Sequence, residues 1–200
     1  MYAAISQSSG NCEVIVLGSN AMADSSKWRF PEDLITVARY DALAQPDSGV
    51  RQALIHVHPG IVTFHEISFC EDPPSDWIRG ISSLRPHLNA QNLRAGSRED
   101  REFIARSHRT RSSRTTPLKA IGETSRDKFI ILDLEGLDFD VCASLFNRSD
   151  VVGIGCEHAL MSDAEVIHLR CTALECGFYF DFSDEDAIFL RESLLTESEI

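Results

Sequence analysis

The run FIILDLEGLDFDV, residues 129–141, puts four apolar residues in a row, places carboxylates at Asp133 and Glu135, breaks at Gly136 and continues into a helix-like stretch. A short apolar run closed by a turn signal reads as a buried strand. Carboxylates at the end of such a strand cost free energy unless they are paired, hydrogen-bonded or used. The stretch therefore predicts a strand, a turn and a following helix, with chemistry at the strand's carboxyl end.

Working outward, strand-like and helix-like segments alternate, the pattern of an α/β fold with a mainly parallel sheet. Strands are expected at 14–18, 34–40, 53–58, 62–67, 129–132, 151–156, 178–182 and 187–191. ALIHVHPGIVTFHEI, 53–67, reads as a hairpin turning at Pro59 and Gly60. A helix is expected from Asp138 to about Phe146. The clearest helix is SDAEVIHLRCTALEC, 162–176, where Ser162 and Glu165 have capping-box spacing. Val166, Leu169 and Ala173 form its apolar face, Ile167, Cys171 and Leu174 broaden that face, and Gly177 is placed to end it. The segment GFYFDFSDEDAIFLR then returns as two closing strands.

A chain of 200 residues fits one domain, here 1–200, that buries a sizeable core without staples. Hydrophobic residues at 43% and charged residues at 25% place it among globular proteins. A net charge of −12 argues against a dedicated nucleic-acid binder, which needs a basic surface. Six scattered cysteines without a C-x-x-C pattern read as reduced thiols rather than a zinc or disulfide framework. The N-terminal stretch has no basic flank or long apolar run, and no segment has the length of a membrane span, so a soluble, cytoplasmic chain without membrane contact is expected.

The segment 94–117 carries arginines at 94, 98, 101, 106, 109, 111 and 114 and little to bury beyond Phe103 and Ile104. It reads as a basic loop with a short helix, solvated or acting as a lid or anion-binding arm. His56 and His58 lie on one strand face, with His65 across the expected hairpin; a metal would suit such a set, but the α/β pattern favours solvent-facing or core imidazoles.

Under the rule that ligands bind outside the carboxyl ends of parallel strands, three places matter. They are Gly18 and Asn20 after the first strand, Asp133 and Glu135 in DLEG, and Glu157 and His158 at the end of VVGIGCEH. If consecutive strands adjoin, the last four residues gather three carboxylates and an imidazole, able to orient a hydroxyl, hold a metal or supply a general base. The bland alternative for Glu157 and His158 is that they cap the following helix or bond a backbone group.

DKFIILDLEGLDFDVCASL, followed by VVGIGCEHALMSDAEVIHLRCTALECGFYFDFSDEDAIFLRESL, resembles the C-terminal half of FkbM-type methyltransferases over about residues 127–194. ISSLRP at 81–86 resembles that family's Ser-Ser-Leu segment before its lid, and TTPLKAIGE at 115–123 its Thr-Leu-Asp segment ahead of the D-V-E-G strand. The resemblance implies a class I, Rossmann-like methyltransferase fold: a three-layer sandwich with a mainly parallel sheet and an antiparallel C-terminal strand pair. It also implies S-adenosylmethionine as cofactor, a sugar or other small-molecule hydroxyl as acceptor, cofactor contacts from Gly18, Asn20 and Asp41, and Asp133, Glu135, Glu157 and His158 at the acceptor.

The N-terminal half departs from the family pattern. Gly18 and Asn20 match its first motif, whereas Val16 stands where an acidic residue is expected and Met22 where a second glycine is. Arg39 takes the place of the carboxylate that would hold the ribose, with Asp41 nearby, and Ile131 and Leu132 leave no lysine before Asp133. Two further readings follow: a methyltransferase-like binding module that has lost its cofactor and serves a protein partner, and another α/β enzyme that uses the carboxylates with a metal.

Overall fold

The computed structural model describes residues 12–18, 36–44, 49–82, 84, 96–122, 126–183 and 185–195. Its strands are β1 (Cys12–Leu17), β2 (Thr36–Asp41), β3 (Arg51–Gln52), β4 (Ile55–His56), β5 (Ile61–Ile67), β6 (His108–Arg114), β7 (Thr116–Pro117), β8 (Asp127–Leu132), β9 (Val151–Glu157), β10 (Phe178–Phe182) and β11 (Asp186–Arg191). The α-helices are α1 (Arg98–Ser107), α2 (Asp138–Leu145) and α3 (Asp163–Glu175).

Seven strands form one sheet in the order β3-β2-β1-β8-β9-β11-β10. The first five are mutually parallel, while β11 runs antiparallel to both β9 and β10. The chain winds from β1 towards β3 on one side and from β8 towards β10 on the other, so β1 and β8 flank the point where strand order reverses. In open α/β sheets that reversal opens a crevice at the strands' carboxyl ends.

The fold follows from which residues alternate along the strands. Ile15, Leu17, Ile130, Leu132, Ile154 and Cys156 share one face and bury against Val141, Cys142 and Leu145 of α2 and Leu169 and Ala173 of α3. The opposite face carries Cys12, Val14, Val16, Phe129, Ile131 and Val152, also buried. Strands buried on both sides need the continuous apolar runs seen at 14–17 and 129–132. Phe129 lies over Gly153 of β9, where a side chain would collide with its ring. Among the described residues, α2 and α3 supply one helical layer, and a second layer, which a three-layer sandwich requires, is not among them.

The amino end of β8 is fixed by ions. Lys128 is fully buried and its Nζ sits 2.8 Å from Asp150 Oδ2 and donates to the Arg126 carbonyl at 2.8 Å. Arg148 grips the same carboxylate through Nε and Nη2 at 3.0 and 2.7 Å. Both partners of a buried cation are thus close and oriented, the condition under which such a pair is retained without penalty.

Three expectations are corrected. The hairpin at Pro59 and Gly60 does not form: β4 pairs in parallel with β7, and β5 pairs antiparallel with β6. The local turn signal lost to partners 40 or more residues away, which no short window reveals. In the basic segment the short helix forms, α1 starting with a full capping box between Ser97 and Asp100, but the part expected as loop is the strand β6, which follows it directly. Phe103 and Ile104 of α1 enter a satellite core with Ile67, Ile78 and Ile81. On α3, Leu169 and Ala173 are buried as expected, but Ile167, Cys171 and Leu174 are exposed, because the sheet covers only a narrow stripe of that helix.

Candidate functional site

The switch point is built by backbone. Gly18 has φ 81°, a left-handed conformation, and the space a Cβ would need there is filled by the Asp133 carbonyl. Gly18 N–H donates to Tyr40 O at 2.9 Å and Asp133 N–H to Leu17 O at 2.9 Å, which ties the ends of β1, β2 and β8 together. Asn20 lies outside the described residues. Asp41, the last residue of β2, accepts the Leu43 amide at 2.6 Å and so braces its own turn beside this point.

From Asp133 the chain turns through a tight loop into α2. Glu135 has φ 50°, unusual for a residue with a side chain, and Gly136 has φ 99°. Asp138 holds this loop: it is buried, with Oδ1 accepting the Leu134 amide at 3.0 Å and Oδ2 accepting the Gly136 amide at 3.2 Å. The sequence reading passed over Asp138 as the first residue of a helix. The available signal was its position, since an Asp two residues after a turn glycine suits a loop-bracing carboxylate.

Asp133 is exposed at the strand end, whereas Glu135 is mostly covered. Burial pushes the Glu135 carboxyl up to about 8, with the charges of Asp133, Glu157 and Asp138 adding to the rise in that order. A carboxyl group of that kind holds its proton at neutral pH and can donate a hydrogen bond. Glu157 closes β9 and lines a small, shallow cleft with Gly136, Asp138, Phe139, Leu160, Met161 and Glu165. Its wall is part apolar, from Phe139, Leu160 and Met161, and part acidic.

The structure therefore brings Asp133, Glu135 and Glu157 together and adds Asp138 to them. It does not bring in His158. That imidazole turns to the β10–β11 connection, where Nε2 lies 2.9 Å from the Ser183 carbonyl and the ring meets Phe182, while the His158 backbone amide donates to Glu185 O at 2.8 Å. Nε2 must carry the proton to bond a carbonyl, so it is a donor there. Of the two readings given for His158, the structure matches the one in which it bonds a backbone group. His56 and His58 stay local, and His65 meets His108 instead of either of them. Among the described residues no three His, Cys, Asp or Glu side chains converge as a metal-ligand set. No described helix is long and apolar enough to cross a membrane.

Comparison with family models, curated proteins and solved structures finds no match to the chain.

Proposed function

We propose that the chain is an S-adenosylmethionine-dependent methyltransferase of FkbM type, acting on a hydroxyl of a sugar or other small molecule. The observation that carries the reading is the acidic crevice at the switch point, where Gly18 meets Asp133 and three further carboxyl groups gather behind them. A sulfonium cofactor brings a methyl group that an oxygen nucleophile can take, and it carries positive charge at both the sulfur and the amino group. Carboxylates crowded around a Glu135 that holds its proton favour such a ligand, because a cation relieves their repulsion. The reversed strand β11, lodged between β9 and β10, agrees with the antiparallel C-terminal pair that the family resemblance implies.

The residues divide the work by their ionisation. In this reading the base that takes the hydroxyl proton is Asp133, exposed at its strand end, or Glu157 at the end of the neighbouring strand. Glu135, holding a proton, orients by donation rather than accepting one. Alignment of donor and acceptor then rests on the cleft walls.

The second reading is a binding module that has kept the fold and lost the cofactor. It is favoured by Val16, whose side chain is buried in the core of the far sheet face and offers a ligand nothing, and by Asp41, which has one oxygen committed to its own turn. Calorimetric titration with S-adenosylmethionine separates the two. Saturable heat from the unaltered chain, lost in the double change Asp133→Asn, Glu157→Gln, supports the enzyme. Absence of heat from the unaltered, folded chain supports the module and directs the search to a protein partner.

A further inference from the structure

His65 on β5 and His108 at the start of β6 lie outside the crevice and have no role in the proposed chemistry. Their facing nitrogens, His65 Nδ1 and His108 Nε2, are 3.1 Å apart. The ring planes agree within 3° and the centroids are 5.3 Å apart. At that separation the rings meet edge to edge rather than face over face, which is the geometry of an N–H···N hydrogen bond. A neutral imidazole has one donor and one acceptor nitrogen, so the contact needs one proton between the two facing nitrogens. With none there, two lone pairs oppose each other; with two, both facing nitrogens are donors and the bond is lost, as it must be once both rings are cations.

We propose that the His65–His108 pair is a proton-operated fastening of the β5–β6 ribbon, closed while the pair shares a single proton and released when it takes up a second.

The setting suits that task. The ribbon is a separate two-stranded sheet, with seven paired positions from Ile61–Arg114 to Ile67–His108, and its outer edges have no strand partner among the described residues. A two-stranded ribbon is marginal by itself, so one cross-strand contact weighs heavily in it. The two histidines sit at the end where α1 runs into β6, and there the Ser68 amide bonds Ser107 O at 3.0 Å.

The charged groups around the pair are already matched with one another. On β5 and β6, Glu66 pairs with Arg111 at 2.7 Å on the opposite ribbon face. Arg106, in the last turn of α1, pairs with Glu71 at 2.6 Å. Arg109 directs Nη1 to the carbonyls of Arg106 and His108. Across from the pair stand the uncharged Thr110 and Ile67. His108 directly follows the carboxyl end of α1, so the pair sits where that helix joins the ribbon. Burial, and then the neighbouring His108, lower the His65 pKa from its ordinary value. The sign is therefore fixed. The closed ribbon is fully stable above the ordinary histidine range near pH 6.5 and loses stability as pH falls below it.

The test is hydrogen exchange of the backbone amides of 62–66 and 109–113, corrected for the intrinsic rate, with His65→Asn and His108→Asn as variants that keep a hydrogen-bonding side chain but cannot titrate. Protection of the ribbon in the unaltered chain should drop about tenfold between about pH 7.5 and about pH 5, while amides of β8 and β9 keep theirs. In either variant ribbon protection should be flat across that range. A flat profile in the unaltered chain overturns the proposal. So does an equal drop in both variants, which would assign the effect to another group. Should one variant fail to fold, the other decides, and the β8 and β9 amides report folding in the same experiment.

Discussion

The Asp133 carbonyl fills the position where a side chain on Gly18 would begin, so the carboxyl ends of β1 and β8 close backbone against backbone at the switch point. No other residue type suits Gly18, since its φ of 81° and the contact each exclude a Cβ. The same closeness puts the DLEG loop next to the end of β1, where a ligand in the crevice would touch both.

Gly18→Ala is accordingly expected to destabilise the chain by about 1–3 kcal/mol, the range for a non-glycine residue forced into a strained conformation, with any steric shift of Asp133 added to it. Urea melts of the two forms measure the difference. An unchanged midpoint would mean that the ends of β1 and β8 separate freely.

Much of the fold was legible because the main sheet is made of local signals. The apolar runs at 14–17, 129–132 and 151–156 announce strands buried on both faces, and the Ser162–Glu165 box starts α3 where spacing put it. Between β3 and β8 the strands expected at 53–58 and 62–67 appear as β4 and β5, but their pairing was not legible, because their partners lie far along the chain and β6, HRTRSSR, carries no apolar alternation to betray it. At the site, the grouping of Asp133, Glu135 and Glu157 follows from β8 adjoining β9, which adjacency of consecutive strands suggests. The orientation of His158 does not follow, because it depends on where the β10–β11 connection offers a carbonyl.

Ser162 accepts the Glu165 amide while the Glu165 carboxylate accepts the Ser162 amide at 2.8 Å, a complete box at the start of α3. Ser162→Ala should therefore cost about 1 kcal/mol. That corresponds to a drop of about 2–4 °C in Tm for a chain of this size. Calorimetry that shows no shift would mean water serves those amides equally well.

At the other end of β8, the Asp150 carboxyl is held well below the usual carboxylate range, chiefly by hydrogen bonds from Arg148, with Lys128 adding to the effect. Its stabilising contribution is present above the ordinary carboxylate pKa near 4 and is lost as pH falls towards the depressed native value. Asp150→Asn strips the charge partner from a Lys128 that is wholly buried. Removing a partner from a fully buried pair costs about 3–5 kcal/mol, and the solvent contact of Asp150 reduces this to about 1–3 kcal/mol. Lys128→Met in the same background should recover part of the loss, a non-additivity that denaturant titration of the double-mutant cycle reads directly. Strict additivity would show that the ammonium finds another partner.

Glu135 gives the opposite pH dependence. Its folded-state value of about 8 lies above the ordinary glutamate range, so the unfolded chain releases this proton more readily than the folded one. The associated stability is complete below about pH 4, declines as pH rises and is gone above about pH 8. Glu135→Gln keeps the shape and the donor while removing the ionisation. The variant should match the unaltered chain near pH 4, exceed it by about 1–3 kcal/mol at pH 8, and show a flatter stability profile between. Urea midpoints across that range are the measurement. Equal slopes in the two forms would show that Glu135 is ionised in the folded state, its charge balanced by a neighbour. If the crevice takes a cationic ligand, binding should also draw the proton from Glu135, so titrations below pH 8 in buffers of different ionisation enthalpy should register proton release, absent in Glu135→Gln.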